Sequence, residues 1–206
     1  DEEVSRGLGD VYKRQLLYIF NFLEKINTFF LRIGRQFAWI AIFLMVVVIM
    51  IQVFFRYVLN NALPWPDEVA RFLMLWMTGL IAPSAYRWGG FVSIDMLERF
   101  LPKIISTFLT LFLLIISLFV LIIGLELGLK HINVGWIFNS ASIKIPFNLI
   151  GGKAEPIKLA WMYMSLPVGI VFLISVNIEL ILRNFLSNFT KLELPEDLDK
   201  QKLEAQ

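Results

Sequence analysis

Three stretches of this chain run for about twenty residues without an ionisable side chain: Phe37–Phe55, Ile104–Leu125 and Leu159–Ile178. A helix rises about 1.5 Å per residue, so a hydrocarbon layer of roughly 30 Å is crossed by about 20 apolar residues in a row. Each stretch therefore reads as a membrane span. The balance of residues agrees, since 58% of the 206 residues are hydrophobic and 17% charged, with a mean hydropathy of +0.71. A soluble domain with a polar shell does not have that composition.

A fourth span is less obvious, because the uncharged run Phe72–Tyr86 is short and lies between Arg71 and Arg87. It reaches bilayer length only when its charged start is included. Pro66 suits the first helical position, where its missing N–H is not needed. Asp67 and Glu68 then occupy the first turn, where the helix dipole favours negative charge. The expected fold is an all-α membrane protein with four transmembrane helices, at about 37–57, 66–86, 104–127 and 158–182, within a membrane domain of 36–185.

There is no cysteine, which excludes disulfides, thiolate metal sites and thiol catalysis, and the single His131 gives no metal cluster. No cofactor and no metal are expected, and nothing in the chain points to nucleic acid. Lysine and arginine are unevenly placed. The arm over 11–36, the connection between spans 2 and 3 and the tail together hold twelve, against Lys130, Lys144, Lys153 and Lys158 on the other side. The positive-inside rule then places both termini in the cytoplasm, the four lysines being the evidence against it. The first span is too long for a signal-peptide core and follows a substantial segment, so it is expected to stay in the mature protein.

Residues 1–15 show no periodicity and read as an unstructured or non-native tail. From Leu16 to Arg35, Asn21, Glu24, Lys25, Thr28, Arg32 and Arg35 recur at steps of three and four, with Leu16, Ile19, Phe20, Leu23, Ile26, Phe30 and Ile33 opposite. This is an amphipathic helix, lying either in the membrane surface with its bases toward headgroups or on a partner's soluble domain. Ser93–Leu101 repeats the pattern as a short interfacial helix between spans 2 and 3, ended by Pro102. Residues 186–206 form a cytoplasmic tail.

Arg56, Asp67, Glu68 and Arg71 are the candidate charge cluster. The connection between the first two spans is too short for a domain, so an antiparallel hairpin brings Arg56 near the level of Asp67 and Glu68, while Arg71 has both acids at i−4 and i−3. A charge at the helix centre costs roughly 2.5–3.5 kcal/mol and less near the interface. The cluster reads either as a shallow network that fixes the hairpin or docks a partner, or as an ion site. The middles of the other spans offer only neutral groups such as Gln52, Ser117, Ser165 and Asn177. Gly79 and Pro83 mark a kink site in span 2, and Pro167 with Gly169 another in span 4. Glu126 and Glu179 sit near span ends, where they snorkel or meet a partner subunit. Trp39, Trp65, Trp88, Trp136 and Trp161 fall near span ends, as aromatic belts do. No nucleophile–base pair, phosphate loop or metal spacing is present.

The segment FRYVLN, then PWPDEVARFLMLW, AYRWGG and SIDMLERFLP, resembles the small membrane (Q) subunit of tripartite ATP-independent periplasmic (TRAP) transporters. SASIKIP (140–146) and MYMSLPVG (162–169) extend the likeness, which covers most of 16–185. On this resemblance the family-motif residues are Trp65, Trp76, Tyr86, Arg87, Gly89, Asp95, Pro102, Pro167 and Gly169. Two features depart from it. Phe91 stands where the family often has histidine, and 147–158 looks like an insertion. The resemblance implies an accessory subunit that holds the static scaffold of a large permease subunit. It also implies help in docking a periplasmic substrate-binding protein during sodium-coupled uptake of an organic acid at the bacterial inner membrane. The alternatives read from the residues are a self-sufficient oligomeric channel or proton-coupled carrier and, weakest for want of a site, a membrane enzyme.

Overall fold

A computed structural model describes residues 2–89, 101–145 and 155–189. Its elements are α1 (Glu2–Tyr57), α2 (Trp65–Arg87), α3 (Lys103–Gly135), β1 (Asn139–Ile145), β2 (Glu155–Lys158), α4 (Ala160–Tyr163) and α5 (Ser165–Phe189). Among the described residues four helical stretches are long and apolar enough to cross a membrane: Arg14–Tyr57, Trp65–Arg87, Ile104–Gly135 and Ala160–Ser187. They match the four expected spans, the third running on to Gly135. The chain is a multi-pass, all-α membrane protein with one small strand pair.

Local chemistry sets where these helices start and stop. Beyond α1 the amides of Val58 and Leu59 both reach the Phe54 carbonyl, and Asn60 takes φ 50°, a left-handed conformation that asparagine tolerates. At the other end of α2, Gly89 has φ 90° and its N–H donates to Tyr86 O, a left-handed glycine stop. The Pro102 carbonyl accepts from Ser106 N at 3.0 Å, so this proline opens α3. Pro167 has no N–H to offer the Tyr163 carbonyl, and the helix is interrupted at Met164 between α4 and α5.

Three expectations meet the structure differently. The helix expected over 16–35 is present but continues without a break into the first span as part of α1. Residues 2–15, read as a structureless or non-native tail, are helical as well, which corrects the first half of that reading. Helix propagation gains one hydrogen bond per residue fixed, so an established helix extends into an indifferent neighbour. The SASIKIP motif is a strand, and the supposed insertion over 147–158 supplies its antiparallel partner, with Lys144 opposite Pro156 and Ile145 opposite Glu155. The interfacial helix expected at Ser93–Leu101 lies outside the described residues, Leu101 excepted, as do 147–154 and the tail beyond Phe189.

Packing gathers the chain into two compact units. One takes the chain through Arg32, Ser84–Leu121 and the part from Phe172 onward; the other takes Ile33–Pro83 and Ile122–Val171. In the first, α1 turns Phe20, Glu24, Asn27, Thr28 and Leu31 inward and leaves Tyr18, Ile19, Phe22 and Phe29 outside. On α5, Val176, Asn177, Glu179 and Leu186 are fully buried, while α3 exposes Ile105, Phe108, Phe112 and Ile116. Apolar outside and polar inside reverses the soluble pattern and suits lipid as solvent.

In the second unit α2 and α5 touch backbone to backbone. A Cβ on Gly79 would lie 2.6 Å from the Ser165 carbonyl oxygen, and one on Gly169 would lie 2.7 Å from that of Gly79. Small residues at such crossings let membrane helices gain dispersion contact where no hydrophobic drive operates. Trp76 donates its indole N–H to Trp161 O at 3.1 Å, tying α2 to α4 as well. Trp136 stacks edge-on against Trp161, and His131 packs on the Tyr163 ring at 4.4 Å.

Candidate functional site

The dominant polar feature lies inside the first unit, where four charged residues of α1, α2 and α5 share one cluster, three of them buried and Arg183 partly exposed. Arg87, the last residue of α2, directs Nε and Nη2 to Glu179 Oε1 at 2.9 and 2.7 Å, and Nη1 to Thr28 Oγ1 at 2.8 Å. Both guanidinium donors converge on one carboxylate oxygen. The other, Oε2, accepts from Asn27 Nδ2 at 2.6 Å, and Asn27 is held in turn by the Ser175 hydroxyl at 2.6 Å. Glu24 lies 3.9 Å from Arg87 Nη2 and 3.6 Å from Arg183 Nη2. The Arg183 guanidinium also stands over the Phe20 ring at 5.9 Å.

Neither side chain of the Arg87–Glu179 pair has any exposed surface, and that of Glu24 keeps 2%. Among the described residues two cations face two anions, so their charges cancel. That neutrality makes burial tolerable, because an uncompensated charge in low dielectric is very costly and a well-bonded pair is not. A second string runs beside it. Asn177 Nδ2 donates to Tyr86 Oη at 2.5 Å, and Tyr86 Oη lies 3.3 Å from Ser117 Oγ, linking α5, α2 and α3. Tyr86 and Arg87 are neighbours on α2, as Asn177 and Glu179 are near-neighbours on α5, so two consecutive side chains of α2 bind α1, α3 and α5. The arrangement is a clamp that ties these helices together.

The second unit holds the other polar feature. The Glu68 carboxylate accepts from the Ser142 amide at 3.0 Å and from the Ser142 hydroxyl, while Ser140 Oγ accepts from Ile143 N at 2.8 Å. Strand β1 is thereby clasped to the first turn of α2. The four charges grouped in sequence are not joined as a network. Glu68 serves the hairpin, Arg56 is exposed and stands 5.8 Å over the Tyr57 ring, and Asp67 and Arg71 are exposed. Among the described residues no ion pair links the four.

Of the motif residues, Arg87 and Tyr86 hold the clamp, Trp76 joins α2 to α4, Gly169 meets α2 from α5, Gly89 and Pro102 bound helices, and Pro167 sits at the α4–α5 break. Trp65 opens α2 and is partly exposed; Asp95 lies outside the described residues. Gly79 and Pro83 lie in an uninterrupted α2, Gly79 as the crossing point with α5 and Pro83 buried. The sequence reading placed Glu24 on a surface stripe and left Glu179 at a span end. It missed that they converge, though a signal was present: each is the lone acid of a long apolar helical stretch, and a lone intramembrane acid calls for a partner.

Comparison with known proteins places this geometry. Over 121 residues the chain is 26% identical to the sialic acid TRAP transporter permease protein SiaT of Haemophilus influenzae (strain 86-028NP), a match that takes in 59% of this chain and 18% of that protein. The family model for tripartite ATP-independent periplasmic transporters, DctQ component, matches residues 45–187, which include α2, α3, the strand pair, α5 as far as Ser187, and both Arg87 and Glu179. The chain therefore belongs to the DctQ family and is a TRAP transporter component.

Proposed function

We propose that the chain is the small scaffold subunit of a TRAP transporter, carrying no substrate of its own and supporting a large permease subunit. That subunit would perform sodium-coupled uptake of an organic acid handed over by a periplasmic binding protein. The observation that carries this reading is the clamp: Arg87, Glu179 and Glu24 are buried together and, with the partly exposed Arg183, balance in charge among the described residues. A transport path needs charged or polar groups that open to an ion or substrate, whereas these fix helices in place. The substrate in the relative's name, sialic acid, is a carboxylic acid, which supports the organic-acid class. The sequence shows no catalytic motif, phosphate loop or metal spacing, which supports a non-catalytic role.

The chain sits in the bacterial inner membrane with both termini cytoplasmic, a placement supported by the lysine and arginine asymmetry. Affinity purification from cells that co-express this chain and its large permease is the test. The permease should be retained, and uptake should vanish when the gene for this chain is deleted. Absence of the permease from the purified material, or full uptake without this chain, would overturn the proposal.

A further inference from the structure

The outward side of α2 differs from those of α1 and α3. Asp67, Arg71, Met74, Thr78 and Ile81 are all exposed, and they follow one another at steps of four, three, four and three. At 100° per residue they occupy one narrow stripe. The opposite side of the same helix is spent within the chain, with Glu68 on Ser142, Trp76 on Trp161, Gly79 on Ser165 and Leu80 on Gly34. A 3.5-residue repeat is the spacing of a left-handed helix–helix seam, the commonest crossing in membrane bundles.

The chemistry of the stripe is wrong for lipid. Arg71 lies five residues past Pro66, about 7–8 Å along the helix axis, and among the described residues neither it nor Asp67 makes an ion pair. An intramembrane arginine normally faces a protein or a water-filled cavity and meets an acid. Thr78 is small, and its hydroxyl already donates to the Met74 carbonyl at 2.8 Å, so it admits a close neighbour without leaving a polar group unsatisfied. Over residues 104–123 the exposed side chains of α3, among them Ile105, Phe108, Phe112, Ile116 and Phe119, carry no polar atom, as a lipid-facing surface requires.

We infer that this stripe of α2 is the seam on which a transmembrane helix of the large permease subunit packs, presenting a carboxylate opposite Arg71. The inference rests on the scaffold-subunit reading and sharpens it, because it selects one face among several exposed ones. Lipid is the competing occupant and belongs on α3.

The absence of cysteine from the chain makes the test direct. Met74→Cys, Thr78→Cys and Ile81→Cys, with Phe112→Cys and Ile116→Cys as controls, are each labelled with a thiol-reactive benzophenone in membranes that hold both subunits, then irradiated. The three α2 sites should form adducts with the permease and the two α3 sites should not. Lipid adducts alone at the α2 sites, or permease adducts from α3 in their place, would overturn the inference. Independently, Arg71→Ala and Arg71→Glu should lower the recovered complex at least tenfold while Phe112→Ala leaves it unchanged. If the unaltered chain never co-purifies with the permease, the scaffold reading itself fails. If it does and the Arg71 variants match it, only the seam fails.

Discussion

Replacing Arg87 with alanine should be the most damaging single change to this protein. The substitution removes two hydrogen bonds to Glu179 and one to Thr28, and leaves the Glu179 carboxylate fully buried with Asn27 alone as donor. Removing one side of a buried ion pair costs about 3–5 kcal/mol, most of it the penalty of stranding the other charge. At about 1.4 kcal/mol per factor of ten, that shifts the folding equilibrium by roughly 10²–10³·⁵. Arg87→Lys should lose less, about 1–3 kcal/mol, since an ammonium cannot reproduce the fork that serves Glu179 and Thr28 together. The double variant Arg87→Met/Glu179→Met should recover most of the loss, because two apolar side chains leave no charge behind. The assay is equilibrium unfolding in mixed detergent micelles, followed by fluorescence of the six tryptophans. A double-mutant cycle on the pair should give a coupling of about 2–4 kcal/mol. Simple additivity, or a double variant worse than either single one, would refute the reasoning.

Three further outcomes follow from the same geometry. Gly79→Ala places a methyl 2.6 Å from the Ser165 carbonyl oxygen and should cost about 1–3 kcal/mol or more, whereas Gly124→Ala, 3.5 Å from Ile170 Cδ1, should change stability by less than about 0.5 kcal/mol in the same titration. Glu68→Ala should release β1 from α2, speeding hydrogen exchange at the Ser142 amide by about ten- to a hundredfold while Arg87-dependent stability stays intact. Trp76→Phe removes the indole donor to Trp161 O and should cost about 0.5–1.5 kcal/mol, read as a lower unfolding midpoint.

Much of this architecture is written locally in the chain. The apolar runs at 37–55, 104–125 and 159–178 set three helices by length alone, and Pro66 with Asp67 and Glu68 sets the start of the fourth. Gly89 and Pro102 bound their helices for reasons of backbone geometry that the residue types announce. The clamp was harder to see because its members are far apart: Thr28, Arg87 and Glu179 are brought together by helix packing, and no spacing rule links them. The burial of individual members of the 16–35 stripe was not legible for a related reason. Periodicity gives a polar face but not what it faces, and in lipid the polar face turns inward, so Glu24 and Thr28 went to the interior while Lys25 and Arg32 stayed outside. The charge cluster around Arg56 was inferred from level along the hairpin. Level does not decide partners, and Glu68 found two donors on Ser142 instead.

The central claim is that this chain is a structural component and not itself a route across the membrane. Uptake of a radiolabelled organic acid into sealed liposomes, driven by an inward sodium gradient, tests it most directly. Vesicles holding this chain alone should stay at the background of empty vesicles. Vesicles holding this chain with the large permease subunit proposed for it, supplied with the loaded binding protein, should accumulate substrate, and those holding the permease alone should not. Accumulation by this chain alone, or undiminished uptake by the permease without it, would contradict the account.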